Sequence, residues 1–461
     1  MNGCYKRPKC AANAKSSYKV TEFIDETEQL HDGEQMEGFA EYNVKLEQIF
    51  HLWKHDSNSA YANHSNVTAA KVRELIDIAT LRESGVFFTS DALAKKAIDN
   101  FNVPIDENSF VVDPTCGSGS LLVAASRNLP IMSSASQTLK KWGSQLCGID
   151  IFPQFVYCTK LRLVLESLVR GAKPDKSLAD LLALLVNVHV GNCLEEKEII
   201  SKATHLALNP PYNNSKVIAK YDWASGKINN AAIYYYELSL ALNDGCSVAA
   251  ILPDVLRSGS RFEAWRGNVA RNINNTKVSV EGRFDKQTDI DIFLLSGLIG
   301  KDSQSEIYWQ LPEVRESAGE LKVCDLFNVA VGAVVPYRDP QEGKLYAYIH
   351  PKILPRWGEI SKIPESRKFL GRVFQPPFIA IRRTSGPRDR YRAVPTLILG
   401  KRLVAVENHL IVLTPKNDDI ENCRKLIRLF SEDYVNDYLN NRIRCRHLTV
   451  SAISEIPWRI V

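Results

Sequence analysis

The chain has 461 residues, 45% of them hydrophobic and 24% charged, a globular composition with more length than one ordinary core needs. No run approaches the ~18 to 20 apolar residues that cross a bilayer, and the basic N-terminal stretch lacks the apolar run of a secretory signal. The net charge of +5 conceals a split: 24 Lys+Arg against 14 Asp+Glu from residue 321 onward, and an acidic excess before it. A polyanion should therefore meet the C-terminal part.

Ten cysteines are scattered without a single CxxC pair, which reads as reduced thiols in a cytoplasmic protein and speaks against structural zinc. The nine histidines form no HExxH, so no metal site is expected.

In chain order, residues 1–37 are polar and without periodicity, a poorly ordered lead-in. Residues 38–82 carry apolar side chains at helical spacing (Phe39, Tyr42, Leu46, Phe50, then Val72, Leu75, Ala79), interrupted by a polar stretch from His55 to Asn66. From residue 83 to 300 short β-rich runs alternate with helical ones. The strands are expected at Ser109–Asp113, Leu146–Asp150, Val188–Gly191, His205–Asn209 and Ser247–Leu252. The helices are expected at Leu121–Arg127, Phe155–Val169, Lys176–Leu185 and Ile233–Asn243. That alternation predicts an α/β fold, a mostly parallel sheet with helices on both faces. Val278–Phe284 and Ile290–Ile299 would add an antiparallel edge. Residues 301–320 read as a linker, and 321–461 as an α+β domain of short strands with one helix at Asp419–Leu439.

Three motifs carry chemistry. An apolar strand ends in Asp113 and runs through Pro114, Cys116, Gly117 and Gly119 into a helix. Glycines there let a ligand approach the backbone. The G-x-G-x-x-G of a dinucleotide fold is absent, and the carboxylate suits a ligand bearing an ammonium group. Asp150 ends the next strand, where it accepts from ribose hydroxyls or caps a helix before Phe152. After a third strand comes Asn209-Pro210-Pro211-Tyr212. The prolines stiffen the backbone so that the Asn side chain and a carbonyl face one donor, and the tyrosine offers a ring to a planar base.

With those residues in place the chain resembles the gamma-class, S-adenosylmethionine-dependent N6-adenine DNA methyltransferases of restriction-modification systems. Gly85-Val-Phe-Phe-Thr89 resembles the family's first motif, with Ser90 where proline is usual. Val190-Gly-Asn-Cys-Leu194 stands where Gly-Asp-x-Leu is usual. The resemblance implies a class I, Rossmann-like methyltransferase sheet over 83–300 and an N-terminal helical extension. It implies a cofactor site of Thr89, Asp113, Pro114, Cys116, Gly117, Gly119, Asp150, Ile151, Asn192 and Cys193. The catalytic set would be Asn209, Pro210, Pro211 and Tyr212, with Cys116 a small loop residue and not a nucleophile.

The resemblance extends more weakly to 321–461, which looks like a target-recognition domain for duplex DNA. Arg382, Arg383, Arg388, Arg390, Arg392, Lys401 and Arg402 are the candidate DNA contacts. A cognate restriction endonuclease or specificity subunit is the further partner that such a system implies. Methylation of an RNA base or a protein glutamine amide remains an alternative, as does a bifunctional restriction enzyme or a specificity subunit.

Overall fold

A computed structural model of the chain describes residues 34–55, 89–216, 221–284, 290–300, 307–309, 320–387, 389–417, 419–444 and 447–459. The first element is helix α1 (Glu34–His55). It starts inside the expected lead-in; the second predicted helix of 38–82 and the Gly85–Phe88 motif lie outside the described residues. Tyr42, Leu46 and Phe50 of α1 enter the main core. Asn43 Nδ2 donates to the Gln154 carbonyl at 3.1 Å.

Next come α2 (Asp91–Asp99), β1 (Val111–Asp113), α3 (Ser120–Ser126), α4 (Ala135–Gln145), β2 (Leu146–Asp150), α5 (Pro153–Val169) and α6 (Leu178–Ala183). They are followed by β3 (Val188–Val190), α7 (Lys197–Ser201), β4 (His205–Leu208), a small hairpin of β5 (Asn214–Lys216) and β6 (Lys227–Asn229), and α8 (Asn230–Ala241). β7 (Ser247–Pro253), α9 (Asp254–Ser258), α10 (Glu263–Asn272), β8 (Ile273–Arg283) and β9 (Asp291–Ile299) complete this part.

The seven-stranded sheet has the order β3-β2-β1-β4-β7-β9-β8. The first five strands in that order are parallel, and β9 and β8 pair antiparallel at the edge, as the apolar runs predicted. Parallel strands covered on both faces show burial at every position, and β1, β4 and β7 do so. Because they run the same way, Asp113, Asp150, Asn209 and Pro253 all emerge at one edge of the sheet, where ligands of open α/β sheets bind. Ser90, in the place of the usual proline, caps α2 by accepting from Leu93 N at 3.4 Å.

The buried apolar clusters divide between Ile307 and Val323. Beyond that point stand β10 (Phe327–Val331), β11 (Lys344–Ile349), β12 (Gly358–Ile360), β13 (Ser366–Phe369), β14 (Phe378–Arg382), β15 (Pro395–Ile398), β16 (Val404–Val406) and β17 (Leu410–Pro415). They form a five-stranded sheet, β10-β17-β14-β15-β12, and a three-stranded one, β13-β11-β16. The helix expected at Asp419–Leu439 is two, α11 (Ile420–Ser431) and α12 (Asp433–Arg442), with Glu432 extended between them at ψ 136°. A short α13 (Val450–Ser454) follows.

The linker also needs correction. Ile307 is buried in the main core, and the Trp309 ring lies 6.0 Å from that of Trp265 and 6.3 Å from that of Phe293. The two parts meet at a buried ion pair. Arg257 Nε donates to Asp254 Oδ1 at 2.6 Å, and its Nη1 donates to the carbonyls of Trp309 (3.0 Å) and Asn441 (3.2 Å). Asp254 Oδ2 accepts from Arg444 N at 3.1 Å. Removing one partner of such a pair strands a buried charge. Arg257→Leu should therefore cost about 3 to 5 kcal/mol, read as a lowered urea midpoint.

Candidate active site

The site begins where β1 ends. Asp113 is 1% exposed, and Thr115 N donates to its Oδ1 at 3.3 Å. Among the described residues no Lys, Arg or His forms an ion pair with it. Burial pushes its carboxyl up to about 8, with a further push from the nearby Asp150. A buried carboxylate without a protein cation is suited to a cationic ligand group.

Asp150, at the end of β2, braces the same loop. Its Oδ2 accepts from Gly117 N at 2.9 Å and its Oδ1 from Phe152 N at 3.0 Å. Helix α5 opens from Phe152 without a side-chain cap; Asp150 closes the turn before it, and each of its oxygens retains a lone pair. Burial raises this carboxyl to about 6.

The loop between them is held tightly from below. Cys116 N donates to the Ile149 carbonyl at 3.0 Å, and Thr159 Oγ1 donates to the Gly117 carbonyl at 2.9 Å. Arg162, 1% exposed on α5, donates to the Ser118 carbonyl at 2.6 Å and to Ser120 Oγ at 3.2 Å. Burial lifts the Cys116 thiol well above its ordinary range, which is the opposite of an activated nucleophile. Cys193, also buried, is shifted upward in the same way. Pro114 follows Asp113 in the same loop, and Ile151 is half-buried beside Asp150. Asn192 is used in its own turn: Oδ1 accepts from Leu194 N and Nδ2 donates to Glu195 Oε1, both at 3.2 Å.

Asn209 follows β4 directly. Its carbonyl accepts from Thr115 Oγ1 at 3.2 Å, tying the Asn-Pro-Pro-Tyr turn to the Asp113 loop. Its Nδ2 donates to Thr89 Oγ1 at 2.8 Å, and its Oδ1 accepts from the Tyr212 hydroxyl at 2.7 Å. The Tyr212 hydroxyl also lies 3.1 Å from the Ile251 carbonyl of β7. Pro210 is buried and Pro211 half-buried in this turn.

Sequence reasoning placed Thr89 on the cofactor; the structure places it against the Asn209 amide. It also missed Asn229, whose Nδ2 donates to the Tyr212 carbonyl at 2.7 Å and whose Oδ1 caps α8 by accepting from Ala231 N at 3.1 Å. An Asn at the start of an apolar helical run was the available signal.

Tyr212 is 5% exposed and meets Phe284 edge-on at 6.1 Å. It lines a cavity of about 820 Å³ whose other walls include Asn229, Pro253, Arg283 and Asp291, with Thr384, Ser385, Asp389 and Arg444 from the C-terminal part. The cavity therefore opens between the sheet edge and the C-terminal domain.

The candidate DNA-contacting arginines divide by burial. Arg392 is 1% exposed and donates to Ser385 Oγ, Asn440 Oδ1 and the Ile443 carbonyl, so it is a structural residue. Arg382 donates to the carbonyls of Pro351 and Leu354, and Arg383 to that of Asn408. Arg390, Lys401 and Arg402 are exposed, and Arg388 lies outside the described residues. Among the described residues there is no cluster of His, Cys, Asp and Glu able to hold a metal. Nor is any helix long and apolar enough to cross a membrane.

The sheet, with its glycine loop and two strand-end carboxylates, defines a Rossmann-like methyltransferase fold. Residues 78–244 match the family model N-6 DNA Methylase. A comparison with curated proteins gave no match.

Among solved structures, the type IIL restriction-modification enzyme MmeI in complex with DNA is 12% identical with a TM-score of 0.50. That match covers 84% of this chain and 70% of that one. A type I restriction enzyme modification subunit from Vibrio vulnificus YJ016 is 18% identical with a TM-score of 0.40, covering 53% of this chain and 51% of that one. The chain thus spans about half the length of this relative.

Gly119 offers a direct test of the loop. Its φ is +81°, and a Cβ there would stand 2.7 Å from Thr159 Oγ1. Gly119→Ala should destabilise the protein by more than about 1 kcal/mol, measured by thermal unfolding, and weaken binding in the loop.

Proposed function

We propose that the protein is a site-specific DNA methyltransferase that moves a methyl group from S-adenosylmethionine to the N6 amine of an adenine extruded from duplex DNA. The observation that carries this reading is the tie between Thr115 and Asn209, which joins the carboxylate loop to the Asn-Pro-Pro-Tyr turn beside a cavity of about 820 Å³, roomy enough for a nucleotide. The N-6 DNA Methylase match over 78–244 supports the same chemistry.

S-adenosylmethionine, when bound, supplies an electrophilic sulfonium methyl. Asp113 would hold its ammonium, Asp150 its ribose hydroxyls, and Asn192 and Cys193 its adenine side. On the acceptor side, an exocyclic adenine amine is a weak nucleophile because its lone pair is delocalised. Asn209 Oδ1 and the Pro210 carbonyl would accept its two N–H bonds and favour a pyramidal nitrogen. A carbonyl oxygen has two lone pairs, so Oδ1 can serve the amine while Tyr212 still donates to it. Tyr212 would contribute its ring to the base and its hydroxyl to the Asn209 amide. Catalysis is then positioning and preorganised hydrogen bonding. The C-terminal domain would read the target, and a restriction endonuclease or specificity subunit is its expected partner.

Asn209→Ala should abolish N6-methyladenine, measured by mass spectrometry of digested DNA, with cofactor binding retained. Tyr212→Phe keeps the ring and loses a hydrogen bond worth about 0.5 to 1.5 kcal/mol, so the rate should fall no more than about tenfold. Tyr212→Ala should fall further. Formation of 4-methylcytosine instead would overturn the choice of base.

The raised carboxyl of Asp113 gives a pH signature. Its folded-state pKa lies above the unfolded value, so the stability linked to its protonated form is present at low pH and is lost as pH rises through about 8. A ligand ammonium favours the ionised form. Cofactor affinity should therefore rise between about pH 5.5 and about 7.5 in calorimetry, and the rise should be much smaller in Asp113→Asn, where only Asp150, raised to about 6, still ionises in that window.

A further inference from the structure

The cavity beside Tyr212 has two guanidinia on its walls that the functional reading has not used. Arg283 is the last residue of β8, and Arg444 follows α12 in the C-terminal domain. They come from distant parts of the sequence and converge on one carboxylate. Asp291 is the direct cross-strand partner of Arg283 in the β8–β9 ladder, and its Oδ1 accepts from Arg444 Nε at 3.2 Å. Burial raises the Asp291 carboxyl in spite of both arginines.

The aim of Arg283 has a local cause. The ladder shifts register between Val280 and Gly282, and Gly282 adopts φ +77°. A bulge of this kind redirects the side chains after it, and it is characteristic of strands beside active sites. It sends Arg283 to the cavity and brings Phe284 onto the ring of Tyr212. Gly282 also lies beside the other guanidinium: a Cβ there would meet Arg444 Nη2 at 3.7 Å, an ordinary contact, so the glycine is required by its φ and not by space. Arg444 is fixed from behind by its backbone N–H to Asp254, the buried partner of Arg257.

We propose that Arg283 and Arg444 form a phosphodiester-binding pair that grips the backbone of the nucleotide whose base enters the cavity beside Tyr212. The proposal rests on the DNA methyltransferase reading and adds a site to it. Guanidinium is the group best matched to phosphate oxygens, because its planar fork donates two parallel hydrogen bonds. A nucleotide with its base against Tyr212 presents its charge on the phosphates at either side. The cavity wall offers one arginine from the catalytic sheet and one from the C-terminal domain. Because Arg444 sits on the segment clamped by Arg257, the grip would also register that the two domains are correctly joined.

The test uses the full-length protein on duplexes containing its target adenine, located by sequencing DNA that the wild type has modified. Arg283→Gln and Arg444→Gln should each weaken duplex binding and lower the slope of log affinity against log salt by about one, with cofactor affinity unchanged. Arg283→Lys and Arg444→Lys, which keep the charge, should keep the wild-type slope. A neutral methylphosphonate at a phosphate flanking the target adenine should weaken binding by the wild type and have little further effect on the matching glutamine variant.

Wild-type methylation with unchanged slopes in both glutamine variants, or an equal methylphosphonate penalty in wild type and variants, overturns the pair and leaves the functional reading standing. A wild-type protein that methylates no duplex overturns that reading, and the pair with it.

Discussion

The site depends on keeping a carboxylate out of water with a backbone N–H as its partner and, among the described residues, no paired cation. Asp113 is enclosed by the sheet and the glycine loop, and an ionised carboxylate in such a place is costly unless something cationic arrives. Everything nearby is arranged to hold that enclosure. Asp150 accepts the loop's Gly117 N–H, Thr159 and Arg162 hold its carbonyls, and Thr115 carries the constraint across to Asn209. The same feature that makes the unliganded pocket unfavourable makes a cationic ligand its natural complement.

Parallel strands make this economical. Each strand delivers its last residue to the same edge, so residues 113, 150 and 209 become neighbours without any contact between them in sequence. The short strands are buried on both faces and leave continuous apolar runs, which is why Leu146–Asp150 could be read from sequence to the residue. The antiparallel edge was legible for a related reason, since β8 alternates and β9 is nearly all apolar.

What stayed hidden is tertiary. Ala135–Gln145 shows a polar exterior and buries Leu139 and Trp142 on one face, and its strongest marker, the Ser134 cap, is a single side chain. The break at Glu432 separates two helices whose sequence runs on without Pro or Gly. The arginines were read by number, and burial then sorted them. Arg392 spends its guanidinium on Ser385, Asn440 and the Ile443 carbonyl, whereas Arg283, outside the basic stretch, reaches the cavity through a bulge whose one local sign is Gly282 within the strand. Thr89 was read as a cofactor residue, and its partner in the structure is Asn209, more than a hundred residues away in sequence.

The anchoring of Trp309 has a consequence for how the two halves stay together. Its indole is packed among Trp265 and Phe293, and its carbonyl is held by Arg257, which also holds the end of α12. The chain between Trp309 and Glu320 is therefore tethered at both ends, with Glu320 paired to Arg459. A tether this short keeps its two ends at millimolar effective concentration, while the Asp254–Arg257–Arg444 contacts supply a non-covalent join of their own. A protease cut within residues 310–319 would then yield two fragments that remain one particle on a sizing column and part only in denaturant.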